Sequence, residues 1–119
     1  MILLRRNHRS DLYIVIYNAM RYSVHLIRDF ADRETERIWS GLRSRKLPSD
    51  IQAVALRKLR LLNQARELSD LRVPPGNRLE ALKGDLAGRF SIRINDQWRI
   101  CFVWTEGGPA NVEIVDYHD

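Results

Sequence analysis

Phe90-Ser91-Ile92-Arg93-Ile94-Asn95-Asp96-Gln97-Trp98-Arg99-Ile100-Cys101-Phe102-Val103-Trp104 is the stretch on which the fold turns. Its large apolar residues recur at every second position: Phe90, Ile92 and Ile94, then Trp98, Ile100, Phe102 and Trp104. Ser91, Arg93, Arg99, Cys101 and Val103 alternate with them. A period of two is the pleat of a β-strand with one face buried. Asn95-Asp96-Gln97 supplies turn residues between the two runs, so the stretch reads as an antiparallel hairpin. Glu106-Gly107-Gly108-Pro109 then predicts a turn into a last strand through Val112, Ile114 and Tyr117. The alternation sends Arg93, Arg99 and Tyr117 to the face turned toward solvent and assigns Trp98 and Trp104 to the core.

A sheet with one apolar face needs a cover, and the residues upstream provide it. Val24 to Phe30 reads as a short strand, and Asp32 offers a capping oxygen to a helix carrying Ile38, Trp39 and Leu42, ended by Gly41 and the basic Arg43, Arg45 and Lys46. In Pro48-Ser49-Asp50-Ile51-Gln52, Ser49 and Gln52 have the spacing of a capping box. Ile51, Val54, Ala55, Leu59, Leu62 and Ala65 follow at helical spacing, with Arg57, Arg60 and Gln64 on solvated faces. Val73-Pro74-Pro75-Gly76-Asn77 ends the helical region. The expected architecture is α+β: an antiparallel sheet with N-terminal helices packed on one face.

The 119 residues suit one domain, placed at 26–119. Residues 1–25 read as an N-terminal extension, or as sequence upstream of a true start near Met20, Val24 or Leu26. Their apolar run, Leu12 to Tyr17, falls far short of the roughly 20 residues that span a bilayer, and Asp11, Asn18 and Arg21 break a signal-peptide pattern. No membrane partner is expected. Cys101 is the one cysteine, so there is no disulfide framework and no zinc-binding cluster; it is expected to be a packing residue in a reducing cytoplasm. A hydrophobic share of 45% and a charged share of 29% are ordinary for a globular chain. The formal net charge of +5 favours an anionic partner. Much of the surplus lies in the first 25 residues, yet Arg72, Arg78, Lys83, Arg89, Arg93 and Arg99 also outnumber Glu80, Asp85 and Asp96 where the candidate chemistry lies.

That chemistry centres on Asp116-Tyr117-His118, a carboxylate, a phenol and an imidazole at the end of the predicted last strand. Cleavage of RNA through the ribose 2′-hydroxyl needs a proton acceptor, a proton donor and cations around a crowded phosphate. His118 exchanges protons near neutral pH, and Glu80 supplies a second titratable group; either can be base or acid. Lys83 and Arg99 are the candidate phosphate ligands, Arg99 by its two-pronged guanidinium. Tyr117 suits stacking on a base, and Asp116 suits orienting His118 or Arg99. Arg78, Arg93 and Gln97 are the further candidates for RNA contact. No cofactor or metal is called for.

Three segments together resemble one family: Leu71-Arg72-Val73-Pro74-Pro75-Gly76-Asn77-Arg78-Leu79-Glu80-Ala81-Leu82-Lys83-Gly84-Asp85, Gly88 through Ile100, and Val115-Asp116-Tyr117-His118. They are similar to HigB-type toxins of the RelE/ParE superfamily, the GraT-like members especially, from about Ile27 to His118. The resemblance implies a toxin that cleaves messenger RNA on the ribosome and is neutralised by a HigA-type helix-turn-helix antitoxin, through which alone it meets operator DNA. By position it implies an active site at Lys83, Arg99, Asp116, Tyr117 and His118. Where some members have histidine, this chain has Glu80. Other branches of the superfamily inhibit DNA gyrase without cutting RNA, so a non-enzymatic inhibitor and an antitoxin-binding module stand as alternatives.

Overall fold

Asp32 opens the first helix as its short polar side chain predicts: extended at φ −143° and ψ 163°, it accepts the Thr35 amide at 2.7 Å. The structure is a computed structural model, and it describes residues 26–117. Helix α1, Arg33–Trp39, buries Thr35 and Ile38 and stops at Ser40, after which Gly41 takes φ +83°. The buried Thr35 hydroxyl accepts the Ile114 amide at 2.9 Å, tying the helix to the last strand.

Helix α2, Gln52–Gln64, begins differently from the expected capping box. Ser49–Ile51 forms a 3-10 turn without a side-chain cap. Gln52 is engaged elsewhere: its amide nitrogen donates to Ser44 O at 2.8 Å and Leu47 O at 3.0 Å, while its oxygen accepts the Ser44 amide at 3.0 Å. The spacing was right, but the connection from α1 offers that side chain three backbone groups, and three bonds outweigh one. The apolar stripe of α2 is as expected, with Ile51, Ala55, Leu59, Leu62 and Ala65 all buried.

The sheet has strands β1 (Glu80–Ala81), β2 (Arg89–Arg93), β3 (Trp98–Thr105) and β4 (Gly108–Asp116), antiparallel and in chain order. The expected α+β fold with helices on one sheet face is the fold observed. Its hairpin register pairs Phe90 with Phe102 and Ile92 with Ile100, and Ile100 pairs in turn with Ile114. These side chains join Ile38, Leu59 and Leu62 in one core. Trp98 and Trp104 pack only partly buried at its margin. Pro109, expected in a turn, belongs to β4, an outer strand where a missing N–H is tolerated.

Two further expectations are corrected. Val24 and His25 lie outside the described residues, and the rest of the proposed first strand forms no regular strand: it makes an isolated parallel bridge, Phe30 to Val112, and one more backbone bond to β4, from the Arg28 amide to Pro109 O at 2.8 Å. Beside it, Asn111 stands at φ +51° with its amide donating to the Asp29 carboxylate at 2.5 Å, and this left-handed residue interrupts regular pairing. Arg99, expected to face solvent, is only 6% exposed. The segment entering β1 brings the Arg78 carbonyl to it as an acceptor, and Ser91 of β2 supplies the others. Among the described residues no helix is long and apolar enough to cross a membrane.

Candidate active site

The second face of the sheet, away from the helices, carries Ser91, Arg93, Arg99, Val115 and Tyr117. Ser91 is fully buried, and its hydroxyl accepts Arg99 Nε at 2.7 Å. Arg99 Nη2 donates to the Arg78 carbonyl at 2.5 Å and, at longer range, to Ser91 O at 3.4 Å. The guanidinium carbon lies 5.5 Å from the centre of the Tyr117 ring, and Glu80 Oε1 stands 4.0 Å from Nη2. A cation buried among neutral acceptors and an aromatic face is fixed in direction, as a phosphate ligand must be.

Around it opens a cleft of about 210 Å³, lined by Arg78, Glu80, Arg93, Asn95, Asp96, Arg99 and Tyr117. Each wall has its own support. Arg78 follows the 3-10 turn Pro75–Asn77 in a left-handed conformation, φ 46° and ψ 58°. Glu80 is half-exposed on β1 opposite Ser91, and Arg93 pairs across the hairpin with Arg99 while its guanidinium donates to Asp96. Asn95 builds the hairpin turn, its oxygen accepting the amides of Gln97 and Trp98 at 2.8 and 2.7 Å. Tyr117 is held where β4 ends, its amide donating to Gln97 O at 2.6 Å. Three guanidiniums against two carboxylates favour an anionic ligand. Two larger hollows, of about 320 Å³ beside Ile38, Leu42 and Leu56 and about 290 Å³ beside Leu68, Leu79 and Phe90, gather no such set of charges; the smaller cleft is the better candidate on chemistry.

Of the residues expected from sequence, Arg78, Glu80, Arg93, Arg99 and Tyr117 come together in this cleft. Gln97 and Asp116 lie next to it and are bonded to each other, Gln97 Nε2 donating to Asp116 Oδ2 at 3.0 Å. Lys83 is exposed at the start of a 3-10 turn, Gly84–Leu86, and does not line the cleft. His118 lies outside the described residues. Asn95 and Asp96, read beforehand only as turn residues, are walls. Ser91 was also missed, although its position among arginines on the polar side of the hairpin was a signal for a buried anchor. Cys101 is buried on this face beside Ser91, and its burial pushes the thiol up, in keeping with a packing role.

Comparison with known proteins accords with this arrangement. Residues 28–118 match the family of HigB-like toxins, described as the RelE-like toxin of type II toxin-antitoxin system HigB. Over 84 residues the chain is 44% identical to Toxin HigB-1 of Vibrio cholerae serotype O1, spanning 70% of this chain and 88% of that protein. An uncharacterized protein of Haemophilus influenzae is 36% identical over 73 residues, 61% of this chain and 71% of its own. In fold the chain is similar to the YoeB dimer structure from Staphylococcus aureus, with a TM-score of 0.50 at 18% identity over 81% of this chain and 99% of that one. With the match running through both the hairpin and the walls of the cleft, the chain belongs to the HigB-like family of RelE-like toxins, which work in type II systems opposite an antitoxin.

Proposed function

We propose that this toxin is a ribosome-dependent endoribonuclease that cuts translated messenger RNA by metal-independent attack of the ribose 2′-hydroxyl, and that a HigA-type helix-turn-helix antitoxin neutralises it and alone contacts operator DNA. The observation that carries the reading is the buried Arg99 guanidinium at the floor of an anion-favouring cleft, with Glu80 at 4.0 Å. Arg99 uses Nε and Nη2 on Ser91 and Arg78, which leaves Nη1 for a phosphate oxygen. Glu80, half-exposed, takes the proton from the 2′-hydroxyl as the new bond to phosphorus forms. As the bond to the 5′-oxygen breaks, His118 gives that oxygen a proton. In sequence His118 directly follows Tyr117, a wall of the cleft. The products are a 2′,3′-cyclic phosphate and a free 5′-hydroxyl.

The other residues have binding parts. Arg78 and Arg93 contact flanking phosphates, and Tyr117 offers its ring to an unstacked base. Asp116, held by Gln97, keeps the end of β4 in place for His118. Lys83, outside the cleft lining, is assigned to the approaching strand.

Purified ribosomes programmed with a defined message test the reading. Wild-type toxin is expected to cut the message only while it is on the ribosome, and Arg99→Ala to lower the rate by about 10²–10³-fold, the usual cost of losing a group that stabilises transition-state charge. Intact transcripts together with blocked DNA supercoiling by gyrase would replace this reading with the inhibitor one.

A further inference from the structure

On α2 a lysine stands within the apolar stripe, three residues after Ala55 and next to Leu59. Lys58 is only 6% exposed. A charge in that position needs a partner, because an unpaired buried ammonium is disfavoured. The partner is Asn77, to whose Oδ1 the Lys58 ammonium donates. Asn77 is itself fully buried, and its Nδ2 donates to the carbonyls of Leu71 and Val73, both at 3.2 Å. Its backbone amide donates to Pro74 O at 2.9 Å. Every polar atom of the Asn77 side chain is therefore engaged, and the segment 71–77 is wrapped around it. The next residue is Arg78, in the left-handed region at φ 46°, a conformation a residue with a Cβ keeps only when its surroundings impose it. The carbonyl of Arg78 is the acceptor that holds Arg99 Nη2.

We infer that Lys58 is a positioning residue for the cleft: acting through Asn77, it fixes the backbone at Arg78 and thereby the direction in which the Arg99 guanidinium meets phosphate. This rests on the nuclease reading above for its consequence, though not for its geometry. The chain of contacts runs from the helix layer under the sheet to the cleft, and neither Lys58 nor Asn77 lines that cleft. Lys58 also feels the site electrostatically: burial first, then Arg57 and Arg93, lower its affinity for a proton, and Arg93 is a wall of the cleft.

A double-substitution cycle on the full chain separates positioning from simple support of the fold. Lys58→Met is expected to lower kcat for ribosome-bound message about tenfold, a coupling ordinary for residues in one hydrogen-bonded network, with KM nearly unchanged. In an Arg99→Ala background the same substitution is expected to cost nothing further. Equal losses in both backgrounds, measured well below each melting midpoint, would overturn the inference. Should Lys58→Met not fold, Asn77→Asp serves: it keeps an acceptor for Lys58 and removes the donations to Leu71 and Val73, so the same Arg99-dependent loss is expected, and a wild-type rate would overturn the inference. An activity-independent arm follows the Arg99 Nε–Hε resonance, assigned by its loss in Arg99→Ala. Lys58→Met or Asn77→Asp should displace it, and an unmoved resonance rejects the linkage. If Arg99→Ala itself cuts at full rate, the nuclease reading fails and the resonance alone decides whether Lys58 governs Arg99.

Discussion

The two faces of this sheet are made by the same strands and obey different physics. One face, with Phe102, Ile92, Ile100 and Ile114, meets the helices and is held by area removed from water. The other holds Arg99 nearly as deeply buried, yet each of its contacts is directional: a hydroxyl, two carbonyls, a ring and a carboxylate. The apolar face tolerates small errors of aim because apolar contact has no direction. The polar face does not, since a guanidinium displaced from its acceptors loses bonds it cannot regain from water. Stability should therefore depend on the first face and the rate of chemistry on the second.

The sharpest way to break that division is at the end of the polar face. His118→Ala is expected to reduce ribosome-dependent cleavage by about 10²–10⁴-fold, the range for loss of a general acid or base. That corresponds to about 3–5 kcal/mol of barrier. The melting temperature should not move. A folded variant that cuts at the wild-type rate would remove His118 from the mechanism. The complementary change on the apolar face is Leu59→Ala. Leu59 is fully buried, so truncation leaves a cavity and is expected to cost about 2–5 kcal/mol of unfolding free energy in a urea titration. Cleavage per folded molecule should stay close to wild type. If instead the rate falls while stability holds, the two faces are not separable in the way proposed.

How legible each face was in the sequence follows from the same contrast. The apolar face could be read because period two and the helical stripe are local patterns, and Ile92, Ile100, Leu59 and Leu62 are buried as their spacing requires. Several walls of the cleft were also legible, since Arg78, Glu80, Arg93, Arg99 and Tyr117 are residue types that phosphate chemistry calls for. The burial of Arg99 was not legible. Its acceptors are Ser91, eight positions away, and the carbonyl of Arg78, 21 away, and strand parity alone cannot say that a loop will fold over a polar face. Gln52 was misread for a similar reason, its capping spacing being a local signal that the loop at Ser44 overrode. Lys58 did leave a mark, a charge on an otherwise apolar stripe, but its partner Asn77 becomes visible only once the segment after α2 is folded back.

The smallest expected effect concerns the segment that leads from the helices to the polar face. Leu68–Arg72 is a 3-10 turn with a reciprocal cap: Glu67 accepts the amide of Asp70, while the Asp70 carboxylate accepts the amides of Glu67 and Arg66 at 3.1 and 3.0 Å. Those two amides, Glu67 foremost and then Arg66, hold the Asp70 carboxyl below its usual range, with the Arg66 charge adding to them. A carboxyl whose folded-state pKa is depressed binds its proton more readily in the unfolded chain. Its contribution to stability is thus complete above the ordinary carboxylate pKa of about 3.9 and is lost as the pH falls through the lower, folded value. Asp70→Asn, which removes the charge and keeps an amide oxygen as acceptor, should melt slightly below wild type at neutral pH. Because Asp70 is on the surface, the gap should shrink in high salt. The two melting curves should converge in acid, once the pH has fallen below the depressed folded-state pKa and wild-type Asp70 is protonated as well. Midpoints measured across that range decide the point: a constant offset at every pH would mean that the carboxylate charge plays no part in holding the turn that leads toward Arg78.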